Sequence, residues 1–309
     1  MQESNDGGPE SGHKPVLPRV RSAVQAISFR SFPVLVLIGL LAGAWEFYKI
    51  LGATANDHVP LVGWPFPVGT DDTTMPHLWA IAQEFFEPVE VAGQSKDLWR
   101  QLLHAALFTS REAAVGLIAG TVFGVVLAFS FELIPNLGKA LVPWILVSQT
   151  IPFVATAPMI VIWGGQRGWP AWISVSVISA YLAFFPIVIN VRRGLASADS
   201  SRLELMRSYA AGRTSTLIRL KIPTSLPYFF SGLRLGATAA VVGAIVGELP
   251  SGQREGVARL LLTFTSFFGL APERLFAAVA AAALLGLAFF GTIVAAERVV
   301  LGSRGQALS

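Results

Sequence analysis

Cysteine is missing from this chain altogether, and charge is scarce. Of its 309 residues only 14% are charged, against about 25% in an ordinary soluble domain. No cysteine means no disulfide framework, no thiolate metal site and no thiol nucleophile. There are four histidines. His58, His77 and His104 fall in or near one polar segment, but their spacing matches no metal-ligand motif. They read as solvated loop residues, so no metal and no catalytic residue is expected. A phosphate-cradling loop is absent too. The one Gly-Lys pair, Gly138-Lys139, lacks both the upstream glycine and the Ser or Thr that should follow. The chain therefore does not hydrolyse nucleotide by that route. It has no paired-histidine metalloprotease helix and no Gly-x-Ser-x-Gly elbow. Acidic residues are almost absent from the middle of its apolar runs, where proton-coupled carriers use them. Glu248, near the end of one run, is the sole candidate.

What the chain does have is apolar length. It is 53% hydrophobic, with a mean hydropathy of +0.59. Runs of that kind read as membrane helices. The pattern predicts an all-α membrane protein with six spans, at about 33–50, 104–131, 141–163, 171–190, 227–249 and 275–296. Residues 32–301 form the membrane domain on this reading. Residues 1–31, polar and proline-bearing, are expected to be a disordered or interfacial tail. Residues 302–309 form a second short tail, and 52–98 an acidic loop offset only by Lys96. Residues 250–272 are too polar at first and too short afterwards to span, which suggests a re-entrant or interfacial piece.

Small residues recur within the spans. Gly116, Gly120 and Gly124 share one helix face, and Gly232 and Gly236 share another. Such spacing lets a second backbone come close. Arg111 and Glu112 read as an interfacial pair reaching towards water. Ser148, Gln149 and Thr150 sit among Pro143, Pro152 and Pro158 in the third span. Polar groups at that depth face protein or a water-filled path. They are expected either to bond a neighbouring helix or to line a solute path. A six-span protein with no energy source of its own is a passive pore or carrier, a scaffold, or the membrane part of a larger pump.

Charge sets the orientation. With six spans, both termini and the 191–225 loop share one side. That side carries Arg19, Arg21, Arg30, Lys139, Arg192, Arg193, Arg202, Arg207, Arg213, Arg219 and Lys221 among others, while few basic residues fall on the opposite side. Basic loops stay in the cytoplasm, so the termini and this loop are expected there. The net charge of +4 is explained by this asymmetry and calls for no nucleic acid.

Within that loop Glu204 is followed by Leu205-Met206 and then, after three more residues, by Ala210. Nine residues later come Leu220-Lys221-Ile222-Pro223. This resembles the cytoplasmic signature of ABC import permeases, Glu-Ala-Ala, three residues, Gly, nine residues, Ile-x-Leu-Pro. Leu205-Met206 stand in place of Ala-Ala, and Ala210 in place of Gly. Alanine does not share glycine's freedom at positive φ, which questions the turn there. Ser148-Gln149-Thr150-Ile151-Pro152, Ala157-Pro158 and Ser231-Gly232-Leu233-Arg234 are similar to permeases of nitrate, sulfonate, taurine and thiamine-precursor importers.

The resemblance, over about 100–301, implies the six-helix fold of a type I importer permease with cytoplasmic coupling helices. It implies a transport subunit of a bacterial inner membrane rather than an enzyme. A cytoplasmic ATPase dimer would bind ATP and Mg, an extracytoplasmic binding protein would deliver solute, and a second permease copy in the lipid would complete the path. Glu204, Arg207, Ser208, Ala210, Arg213 and Pro223 are then the ATPase-coupling positions. The solute would be nitrate, a sulfonate, taurine or a pyrimidine precursor. A passive channel or secondary carrier is the alternative.

Overall fold

A computed structural model describes residues 17–55, 64, 66–91 and 94–305. It contains two compact units, residues 1–78 and 79–309.

The first unit is built on α1, Leu17–Thr54. Helix covers 17–31, part of the segment read as a disordered or interfacial tail; residues 1–16 lie outside the described part. The apolar portion Val36–Thr54 is long enough to cross a bilayer. Polar residues on its last turns hold the loop that follows. The Glu46 carboxylate accepts from Leu78 N–H at 2.8 Å and lies 2.8 Å from His77 Nδ1. Trp45 Nε1 donates to Pro76 O at 3.1 Å. Lys49, only 4% exposed, reaches Asp72 Oδ1 at 2.5 Å and donates to Met75 O.

The short helix α2, Leu78–Glu84, has all but its first residue in the second unit, and an antiparallel hairpin follows, β1 Pro88–Val91 and β2 Gln94–Asp97. This hairpin lies inside the acidic segment read as loop. The helix α3, Leu98–Leu133, follows, and then α4, Pro135–Ser148, and α5, Phe153–Gln166. The expected third span is thus two helices, bent by 100° at residues 149–152. The next helices are α6, Ala171–Ala196, α7, Ser200–Ser208, and α8, Arg213–Thr216. A π-turn over Leu217–Lys221 leads straight into α9, Ile222–Glu248. The short α10, Val257–Ser266, and the long α11, Pro272–Gly305, complete the described chain. Among the described residues five helices are long and apolar enough to cross a membrane, or six if the bent pair counts as one span.

The core is α3, α6 and α9 side by side. Their approach is set by missing side chains. A Cβ on Gly116 would lie 2.2 Å from Ser179 Oγ, and one on Gly120 2.7 Å from Ala180 O. One on Gly124 would lie 3.0 Å from Phe184 O, so all three glycines of this face meet α6. Across α6, a Cβ on Gly232 would lie 2.9 Å from Asn190 Cβ and one on Gly236 2.9 Å from Ile187 Cδ1. Close backbone contact yields dispersion energy without needing a hydrophobic drive, which lipid does not supply. α3 and α6 run parallel and α9 runs back against them, so one end of the bundle gathers the end of α3, the end of α6 and the start of α9.

Candidate functional site

That gathered end carries the signature loop. Asp199 caps α7, its Oδ1 accepting from Ser201 N–H at 3.2 Å. Such a cap satisfies one of the orphan donors of a first helical turn. Glu204 does not cap a helix and forms no ion pair among the described residues. It stands exposed on α7, with Arg207 and Ser208 also exposed. Ser208 Oγ bonds back to Leu205 O at 2.8 Å. No residue of α7 is buried.

The helix ends in a left-handed turn at Ala210, φ +50°. Ala211 N–H reaches Met206 O at 3.0 Å and Ala210 N–H reaches Arg207 O at 2.9 Å. These two bonds make a Schellman closure, the usual place for glycine. The turn is therefore present without glycine, because two hydrogen bonds offset the steric cost of the β-carbon. Arg213 opens α8 and is exposed, and Pro223 lies in the first turn of α9. Proline has no N–H to give the preceding turn, and it stands directly after the irregular π-turn of the continuous helix Arg213–Glu248.

Between α8 and Pro223 the backbone takes the π-turn. Extra residues of this kind re-aim the side chains that follow and recur at functional sites. Here Leu217 is tucked into the apolar core with Val191 and Leu195. Lys221 Nζ lies 2.5 Å from Glu132 Oε1, close to the end of α3. Sequence spacing gave no sign of this pair, because its partners are 89 residues apart.

At the opposite end of α3 lies a buried polar knot. Thr109 Oγ1 donates to Glu248 Oε1 at 2.5 Å and accepts from Val257 N–H at 2.9 Å. Glu248 Oε2 accepts from Ala258 N–H at 2.9 Å, at the start of α10. Gln253 Nε2 donates to Glu112 Oε1 at 3.0 Å. Glu112 is 0% exposed, so it is not an interfacial residue reaching to water. Its sequence neighbour Arg111 lies instead over the ring of Trp172, 4.9 Å from its centroid. Four elements are thereby joined: α3, α9, the loop after it and α10.

The third polar group is the bend between α4 and α5. Ser148 Oγ and Thr150 Oγ1 bond back to Ile145 O and Val147 O, each at 2.8 Å. Tyr181 on α6 donates to Ser148 O at 2.8 Å. Gln149 Nε2 is buried and has no hydrogen-bond partner among the described residues. Among those residues no cluster of His, Cys, Asp or Glu could hold a metal ion.

The family model for the binding-protein-dependent transport system inner membrane component matches residues 120–300. The chain belongs to this family. It is an ABC importer permease, a multi-pass protein of the inner membrane. One relative is the formylaminopyrimidine transport permease ThiX of Halalkalibacterium halodurans. It is 32% identical over 218 residues, covering 69% of this chain and 83% of that one. A probable ABC transporter permease of Haemophilus influenzae is 28% identical, over 76% and 84% of the two chains. The taurine transport permease TauC of Escherichia coli is 28% identical over 51% and 54%. Among solved structures, an amino acid ABC transporter crystallised with histidines matches with a TM-score of 0.54 and 17% identity. That match covers 65% of this chain and 94% of the other, and it supports the permease fold.

Proposed function

We propose that this permease forms half of the path by which an ATP-driven importer takes up a small pyrimidine-type solute. A separate ATPase dimer supplies the energy, holding the ATP and Mg. A binding protein on the outer side delivers the solute, and a second copy of this chain completes the path. One observation carries the reading. Residues 199–223 fold as a capped helix with no buried residue, a closed turn and a π-turn at one end of the bundle. The family signature falls on that surface, and Glu204, Arg207, Ser208 and Arg213 point away from the core, free to meet a partner. The basic character of the loop supports a cytoplasmic position for it and for both termini. Ser148, Gln149 and Thr150, at the bend between α4 and α5, border the solute path. The pyrimidine class is favoured because the ThiX similarity spans more of both chains than the TauC similarity.

Two experiments test this. Glu204→Lys should insert normally but lose ATPase stimulation and transport in the assembled importer; transport at the wild-type rate would remove Glu204 from the coupling surface. A ligand screen on the cognate binding protein should return an aminopyrimidine. Binding of taurine or nitrate in its place would overturn the solute class.

A further inference from the structure

The two polar joints of α3 have a consequence for how the bundle moves. α7 buries no side chain, so a force on it has few routes into the membrane. It can pass back through the end of α6, through Leu217, along the continuous helix Arg213–Glu248, or through Lys221 into Glu132. The route along α9 starts at the irregular π-turn, whereas the last enters the regular helix α3. Both ends of the 2.5 Å pair are largely shielded, with Lys221 20% and Glu132 28% exposed. Removing one partner from such a pair leaves the other charge uncompensated in a poorly solvated place. From Glu132 an unbroken helix runs back to Thr109. At about 1.5 Å per residue those 23 steps cover roughly 35 Å, more than a hydrocarbon core of about 30 Å. Thr109 then meets Glu248 and the first turn of α10.

We propose that α3 is a strut, with Lys221–Glu132 as its joint at the coupling loop and Thr109–Glu248 as its joint to α10 at the far face. The inference rests on the reading of 199–223 as the coupling loop. Lys221 and Glu132 are positioning residues that touch no solute. Their role is to make the loop and α3 move as one piece. A nucleotide-driven displacement of the loop then shifts the far joint and with it α10.

The chain has no cysteine, so one exposed position can be labelled cleanly. The test uses Arg259→Cys on α10, in the full complex with the ATPase and in lipid vesicles. The rate of maleimide labelling is read with and without a non-hydrolysable ATP analogue. With the joint intact the analogue should change the rate by about threefold or more, within the range of long-range coupling energies. In Glu132→Gln the complex should still assemble and bind the analogue, but the change at residue 259 should vanish. The exchanged pair Glu132→Lys with Lys221→Glu should restore it. Arg234→Gln breaks a different ion pair, the 3.0 Å contact from α9 to Glu297 on α11, and should leave the response intact. If Glu132→Gln fails to insert, Lys221→Gln reads the same joint from the other side. A full response in either single variant, or no recovery in the exchanged pair, overturns the strut. A wild-type joint with no response, or a chain that recruits no ATPase, overturns the coupling reading and the strut together.

Discussion

Ala210 holds a backbone angle that its β-carbon resists. Left-handed φ costs an L-residue about 1–2 kcal/mol, a penalty glycine escapes. Ala210→Gly should therefore stabilise the end of α7 by roughly 0.5 kcal/mol, part of the gain being lost to the freer unfolded chain. Slower amide exchange over residues 200–211 would report it, and faster exchange would contradict it. Asp72 gives a pH prediction in the first unit. The hydrogen bond from Lys49 holds its carboxyl below the usual carboxylate range. A group with a lowered folded-state pKa stabilises above its unfolded value, about 3.9. That contribution is lost as pH falls through the lower folded value. The loop 66–78 should thus resist proteolysis unchanged from pH 7 to about 5 and loosen only under stronger acid. Loosening near neutral pH would overturn this assignment to Asp72. At this scale the sequence reading was uneven. The signature register was visible, but the partners of Glu112 and Glu248 were not. They come from residues 141 and 139 positions away, and a single sequence carries no pairing signal over that distance.

Among the elements, α3 depends on one buried hydroxyl. Thr109 is 0% exposed and serves as donor to Glu248 and acceptor for Val257 N–H. Thr109→Val keeps the shape and removes both bonds. Each buried group left unpaired costs about 1–3 kcal/mol, so the variant should melt earlier in detergent and expose α10 to protease first. An unaltered melting temperature would show that the knot is redundant. The long helices were legible because apolar runs of that length permit few alternatives. The hairpin β1–β2 was not. Strands of four residues beside a proline carry too little alternation to stand out from a polar loop. The bend at 149–152 was half legible: Pro152 stands at the break, but Pro143 and Pro158 lie inside α4 and α5, and nothing in the sequence gives the 100° angle.

For the whole molecule, topology is the decisive measurement. A reporter fused at Gly194 should give a cytoplasmic signal, and one fused at Gly165 should not; a cytoplasmic signal at Gly165 would invert the orientation argued from charge. The packing around Ser179 bears on what such a molecule can do in time. This residue is caught between two glycines. Ser179 Oγ sits 2.2 Å from where a Gly116 Cβ would be, and Ser179 Cα 2.8 Å from the corresponding place on Gly243. Its hydroxyl also donates to Ala240 O at 2.9 Å. A small side chain pinned from both sides acts as a dowel through three boards. α3, α6 and α9 cannot slide along one another without driving backbone into backbone. The transport cycle then has one stiff block at its centre, and its slow motions belong to the hinged pair α4–α5 and to the pieces attached at the two ends.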